Sequence, residues 1–182
     1  GLAYTAACLW SVLAARVATD FELIVVNDCT PEPDVAALLA RLDRLGLVRL
    51  LSNPQNLGFV RTVNRGMAAH PERDVVLLNA DAVVFDGWLD RIVAAAARSE
   101  RIATVTPLSN NATICSYPVT AKDNPGVLEV PSPELDRMAA GANAHRSVWS
   151  GPQAAGDGRA ARGVHDLDAR APFASCHHAR CA

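Results

Sequence analysis

Apolar and polar positions alternate with two different periods along the first 106 residues of the chain. Helical spacing of apolar residues predicts helices at 5–15, 34–45, about 60–69 and about 87–98. Short apolar runs predict strands at 21–26, 48–51, 75–79 and 102–106. The connections are long enough to join parallel neighbours. The pattern therefore predicts an α/β fold with a mostly parallel, doubly wound sheet and helices on both faces.

The segment from Val75 to Asn79 is the strand around which this prediction is organised. It is apolar, rich in valine and bounded by Asp74, which is typical of a strand buried on both faces. Side chains two apart share a side of an extended chain, so Asn79 and Asp81 would present oxygens together where α/β sheets bind ligands. These donors suit Mg²⁺ or Mn²⁺. A turn with side-chain caps also fits the pattern, and both interpretations stay open.

The periodic pattern ends after Pro107. Prolines interrupt residues 121–141, where a short helix is predicted at about 133–140. From residue 142 onward Ala, Gly, Arg and His dominate, and such a composition buries too little apolar surface to offset ordering entropy. The sequence thus predicts an α/β unit at 1–120, an irregular Pro-rich segment at 121–141 and a disordered tail at 142–182.

Composition narrows the class of protein. The 182 residues are 50% hydrophobic and 20% charged with a net charge of -2, which fits one soluble domain and gives no basic surface for nucleic acid. No apolar run approaches the roughly 20 residues of a transmembrane helix. The five cysteines are widely scattered, which predicts reduced thiols and a cytoplasmic protein.

Five short motifs follow one another in the first half of the chain. They are, in order, Tyr4 to Leu13, Leu23 to Asp28, Asn56 to Phe59 with Asn64 to Gly66, Leu77 to Asp81, and Gly87 to Leu89. Their order and spacing resemble the nucleotide-sugar domain of the family 2 glycosyltransferases, which has the GT-A fold. The resemblance covers residues 1 to about 120, and the segment 106–118 is similar to a subset of bacterial members.

The resemblance implies an enzyme that transfers a sugar from a nucleoside-diphosphate sugar to an acceptor hydroxyl, saccharide or other, with inversion. Asp81 matches the last acidic position of the family's metal motif and would hold Mn²⁺ or Mg²⁺ against the diphosphate. The metal would stabilise charge on the leaving group. Asn79 lies where many members carry an acid, and an amide there weakens metal binding without abolishing it.

Four further residues match nucleotide-contacting positions of the family. Asn27 and Asp28 lie at the tip of a predicted strand, where Asp28 matches the residue that contacts the nucleoside; an Asx turn before Pro31 is the alternative. Asn56 and Gly58 match a loop beside the nucleotide, or form a plain strand-to-helix connection. On the following helix two arginines either reach the diphosphate or are solvated, namely Arg61 and Arg65.

Two features of the family pattern have no match in this chain. The family's first strand would precede Gly1, and its catalytic base lies in a later acidic motif that neither Asp166 nor Asp168 fits, because no apolar strand precedes them. A base is needed to take the proton of the acceptor hydroxyl. The expectation is therefore a partial domain that binds nucleotide weakly and does not turn over. A non-catalytic, degenerate fragment and a sugar nucleotidyltransferase-like enzyme are the alternatives, although the latter needs a Gly-rich phosphate loop that is not visible.

Overall fold

The computed structural model describes residues 1–110, 115–119, 124 and 130–142, together with short strands at 147–149, 166–168 and 175–176. The helices are α1 (Leu2–Ala14), α2 (Pro33–Arg44), α3 (Phe59–Met67), α4 (Trp88–Ala96) and α5 (Ser132–Ala142). The strands are β1 (Ile24–Asn27), β2 (Arg49–Ser52), β3 (Ala82–Val83), β4 (Ser147–Trp149), β5 (Asp166–Asp168) and β6 (Ser175–Cys176). The predicted α/β class is confirmed, and each predicted helix is present.

A parallel βαβ unit is formed by β1, α2 and β2. β1 and β2 pair in parallel with Asn27 opposite Ser52, and α2 is the crossover between them. α3 packs against β1, where a Cβ on Gly66 would lie 3.3 Å from Cγ2 of Val26. Glycine therefore permits the close approach of this helix to the sheet.

The end of α2 directs the chain into β2. Gly46 follows the C-cap residue with φ of +69°, and its N–H donates to the carbonyl of Asp43 at 2.9 Å. The N–H of Leu47 donates to the carbonyl of Leu42 at 3.1 Å. These two hydrogen bonds form a Schellman motif, which commonly ends a helix at a glycine.

α1 packs between two groups of buried side chains. In one group, Val12 of α1 packs with Val84, Trp88 and Leu89. In the other group, Leu9 of α1 packs with Val35 and Leu39 of α2. Because α1 contacts both α2 and β3, it holds the segment around residues 79–84 against the βαβ unit.

Two strands predicted from the sequence do not form. The segment from Val75 to Asn79 carries no strand, and Val75, Val76 and Leu77 are 44%, 42% and 58% exposed rather than buried. Residues 102–106 carry none either. A run of β-branched residues favours extended backbone, but a strand forms only when it pairs with the backbone of a neighbouring strand. Among the described strands, β1 pairs only with β2.

The remaining strands are short. β3 pairs antiparallel with β6, and β4 pairs antiparallel with β5. β4, β5 and β6 belong to the tail that the sequence predicts to be disordered, and the other tail residues lie outside the described part of the chain. None of the described helices has the length and hydropathy needed to cross a membrane.

Candidate functional site

Asp28 follows β1 directly, and donors from the loop between β2 and α3 surround its carboxylate. Oδ1 accepts hydrogen bonds from the Asn53 side-chain amide at 2.7 Å and from the Leu57 N–H at 2.8 Å. Oδ2 accepts from the Gly58 N–H at 2.9 Å. The hydrogen bond from Leu57, followed by that from Asn53, holds the pKa of Asp28 below its usual value. The carboxylate of Asp28 is therefore an ionised acceptor that binds the loop between β2 and α3.

Asn53 connects this carboxylate to the surrounding elements. Its side chain is buried, with 5% of the residue exposed. The side-chain amide also donates to the Thr62 hydroxyl at 3.0 Å, and the side-chain oxygen accepts from the guanidinium of Arg65. Its backbone N–H donates to the carbonyl of Asn27 at 2.8 Å. The side chain of Asn53 thus joins β1 to α3.

Sequence reasoning missed Asn53, although a signal was present. Since Asn27 pairs with Ser52, the next residues, Asp28 and Asn53, leave neighbouring strands at the same end of the sheet. Two polar side chains at paired strand ends are expected to meet. The prediction that Arg65 reaches a diphosphate is not supported, because its guanidinium donates to the carbonyl of Ser52 at 2.7 Å as well as to Asn53.

The other predicted residues of this loop lie beside Asp28. Gly58 has φ of +77°, a left-handed conformation that favours glycine, and its N–H also donates to the side-chain oxygen of Asn56 at 3.0 Å. The side-chain oxygen of Asn27 accepts from the N–H of Thr30 at 2.9 Å. The carboxylate of Asp28 binds residues 53–58 rather than the turn before Pro31, so the alternative of an Asx turn at Asp28 is wrong. The structure therefore brings four of the predicted residues together, namely Asn27, Asp28, Asn56 and Gly58.

Asn79 and Asp81 line a different pocket. It has a volume of about 320 Å³, and its other lining residues are Gly1, Tyr4, Thr5 and Ala80. The Ala82 N–H donates to the carbonyl of Asn79 at 3.1 Å, so the segment is a turn and not the end of a strand. Asn79 and Asp81 both line this pocket, which lies beside the first turn of α1. The residues around Asp28 are not among those that line it.

α1 anchors this turn through two side chains. The thiol of Cys8 donates to the carbonyl of Asn79 at 3.3 Å, and the hydroxyl of Ser11 accepts from the Val84 N–H at 3.1 Å. Burial raises the pKa of Cys8 to about 11, and the nearby Asp81 carboxylate contributes to the rise. The thiol therefore stays protonated and remains a hydrogen-bond donor to the turn.

The donor set at this pocket fits a metal ion only in part. No group of three or more His, Cys, Asp or Glu residues placed to hold a metal occurs within the described ranges. Asp81 supplies one carboxylate and Asn79 one amide oxygen. Mg²⁺ and related ions commonly bind through one or two carboxylates and take substrate phosphates and water as their other ligands. The residues thus fit such an ion if a diphosphate completes its coordination.

Comparison with known proteins shows the family to which the chain belongs. The sequence profile of the family described as Glycosyl transferase family 2 matches residues 2–124, which is more than half of the chain. The chain belongs to glycosyl transferase family 2. An uncharacterized glycosyltransferase of Haemophilus influenzae is 25% identical over 88 residues, which are 47% of this chain and 27% of that relative. The predicted resemblance to this family of glycosyltransferases is confirmed.

Proposed function

We propose that this family 2 glycosyltransferase domain binds a nucleoside-diphosphate sugar and serves the transfer of its sugar, with inversion, to an acceptor hydroxyl. The observation that carries the proposal is the shared pocket of Asn79 and Asp81, because the resemblance matches these residues to the metal motif. The chain covers 27% of the length of the curated relative, so the donor, the acceptor and the mechanism are all part of the proposal.

Asp81 and Asn79 would hold Mn²⁺ or Mg²⁺ against the diphosphate. When bound, the ion supplies Lewis-acid stabilisation of the negative charge on the departing nucleoside diphosphate. The chain's own contribution is to place one carboxylate and one amide oxygen in the same pocket and to fix them through Cys8, which binds the backbone of this turn. The first turn of α1 closes the other side of the pocket through Tyr4 and Thr5.

The loop between β2 and α3 would form the nucleoside side of the site. Asn56 and Gly58 lie in it, and Asn27 and Asp28, at the end of β1, lie beside it. The left-handed Gly58 leaves no side chain in the way of a ligand approaching the backbone, and a Cβ there would meet no atom within 4 Å.

We further propose that the 182-residue chain does not turn over by itself. Inverting transfer needs a base within hydrogen-bond reach of the acceptor hydroxyl. No residue of this chain fits the family's base motif, including the pair Asp166 and Asp168. Free thiols at Cys8, Cys29 and Cys115 support a reducing compartment, the cytoplasm.

A thermal-unfolding experiment tests nucleotide binding. The chain is melted with UDP, GDP and dTDP, each with and without Mn²⁺, beside Asp81→Ala and the control Asp74→Ala, which changes an exposed carboxylate of the same segment. A ligand at about 100 times its Kd stabilises the folded state by about 2.7 kcal/mol. We expect one nucleotide with Mn²⁺ to raise the midpoint of the parent and of Asp74→Ala by several degrees, but not that of Asp81→Ala. A cooperative melt unmoved by every nucleotide refutes the proposal.

A second candidate is a non-catalytic unit that folds fully only with a partner. The exposed apolar side chains of Val75, Val76 and Leu77 favour it, because such runs are normally covered. This candidate predicts a broad, non-cooperative melt and strong binding of a dye that detects apolar surface. A sharp melt without dye binding argues against it.

A further inference from the structure

We infer that Cys8 and Ser11 are positioning residues, which set the affinity of the pocket for a metal ion and a diphosphate by fixing the segment 79–84. The inference rests on the proposed function. Neither residue is among those that line the pocket of Asn79 and Asp81. Their effect on a ligand therefore passes through the backbone of this segment and not through a direct contact.

Two hydrogen bonds from one face of α1 hold the two ends of the segment. Residues three apart are neighbours on a helix surface, so Cys8 and Ser11 lie on the same face of α1. At one end, the Cys8 thiol donates to the carbonyl of Asn79 at 3.3 Å. At the other end, the Ser11 hydroxyl accepts from the N–H of Val84 at 3.1 Å. Asp81 lies between these two attachments, so α1 fixes the backbone on both sides of it.

The hydroxyl of Ser11 is itself held in place. It donates to the carbonyl of Cys8 at 2.8 Å, so its proton is engaged and a lone pair remains for the N–H of Val84. Val84 is buried, with 4% of the residue exposed. Loss of the hydroxyl would leave this buried donor without its acceptor, which is costly for the arrangement that needs it. Ser11 therefore favours one position of residue 84 relative to α1.

The thiol of Cys8 supports a part of the chain that no sheet holds. Residues 75–80 carry no strand, and Asn79 and Ala80 are exposed. Within the turn, the Ala82 N–H donates to the same carbonyl of Asn79 at 3.1 Å. Cys8 thus ties the internal hydrogen bond of the turn to α1. The helix gives this turn a support that pairing with a neighbouring strand would otherwise provide.

A metal ion is sensitive to such support, because the ion requires its ligands in a defined geometry. Groups that orient the ligands of a metal commonly change its affinity by about 10–100-fold. Here the chain offers one carboxylate and one amide oxygen, and a shift of residues 79–81 moves both. The hydrogen bonds of Cys8 and Ser11 reach this segment and not the loop between β2 and α3. The loss caused by their removal should therefore be confined to the metal-dependent part of binding.

The first experiment measures the segment without ligand. Amide hydrogen exchange at Ala82 and Val84 is recorded for the 182-residue chain, for Cys8→Ala and for Ser11→Ala, with the amides of β1 as the measure of global stability. We expect Cys8→Ala to raise exchange at Ala82, and Ser11→Ala to raise it at Val84, by about tenfold or more beyond any rise in β1. Rises no larger than those in β1 overturn the inference.

The second experiment measures affinity well below the melting midpoint. UDP, GDP and dTDP are titrated, with and without Mn²⁺, into the parent, the two alanine variants, Cys8→Ser and the control Leu42→Ala. The control removes apolar packing from α2 but no hydrogen bond. With Mn²⁺, each of Cys8→Ala and Ser11→Ala should bind the preferred nucleotide roughly tenfold more weakly than the parent. Cys8→Ser keeps a donor and should recover part of this loss, and Leu42→Ala should bind as the parent does.

Titration without Mn²⁺ separates positioning from a general loss of structure. Without the ion, the parent and all variants should bind alike. A loss of equal size with and without Mn²⁺, or an equal loss in Leu42→Ala, overturns the inference. If the parent binds no nucleotide with Mn²⁺, the proposed function is refuted and the claim about affinity with it, whereas amide exchange still decides whether α1 fixes the segment. If Cys8→Ala does not melt cooperatively, Cys8→Val takes its place, because valine fills the volume without donating.

Discussion

Gly46, the residue that terminates α2, permits a stability prediction with matched controls. Its φ of +69° lies in the left-handed region, and a Cβ built on it meets no atom within 4 Å. Gly46→Ala therefore adds no steric contact with the rest of the protein, and its cost is backbone strain. Left-handed backbone costs an L residue roughly 1–2 kcal/mol. The free energy of unfolding should fall by that amount, which corresponds to a midpoint lower by about 2–8 °C in a chain of this size.

Gly141→Ala is the control for this prediction. Gly141 lies within α5, and a Cβ there also meets no atom within 4 Å. At a helical position alanine is better than glycine by up to about 1 kcal/mol, so this change should raise the midpoint or leave it unchanged. Gly46→Asn should lose less than Gly46→Ala, because asparagine tolerates the left-handed region. Thermal and urea unfolding measure all three. If Gly46→Ala unfolds with the same midpoint and free energy as the parent, the reasoning is refuted.

Three further predictions concern burial and charge. Leu39 is 3% exposed, so Leu39→Ala should lower the free energy of unfolding by about 2–5 kcal/mol in a urea titration. A loss below about 1 kcal/mol would contradict the burial of Leu39 in the core. Hydrogen bonds from the Thr19 hydroxyl, and then from backbone N–H groups, lower the pKa of Asp90. The ionised carboxylate of Asp90 should therefore stabilise the fold above about pH 4. In thermal melts, the difference in midpoint between the parent and Asp90→Asn should shrink as the pH falls through the folded pKa of Asp90. Iodoacetamide should label the exposed Cys29 of the native chain well before the buried Cys8, as peptide mass spectrometry would show; equal labelling contradicts the burial.

The helices could be predicted from the sequence because their signals are local. The apolar stripe of α2 lies within one short segment, and the structure reproduces the helix. β1 and β2 could be predicted for a similar reason, since their apolar runs flank a helix of suitable length. The parallel pairing then follows from the crossover.

The candidate site could be predicted only in part. Asp28 and Gly58 were each predicted as site residues from local motifs, but their mutual hydrogen bond joins residues 30 apart in sequence. Asn53 escaped notice, because its role depends on the register of β1 and β2 and on the packing of α3. The predicted strand at Val75 failed for a related reason. β-branched residues specify extended backbone, and only a neighbouring backbone makes it a strand.

The sequence by itself determined the helices, the first parallel strand pair and the residue types of the candidate site, because periodicity, capping and strand-end polarity act within a few residues. The tertiary structure decided that Asp28 binds the loop between β2 and α3, that Asn79 and Asp81 share a pocket at a turn, and that Val75 remains exposed. These outcomes depend on which distant donors and strands meet each residue, and that is a property of the packed chain.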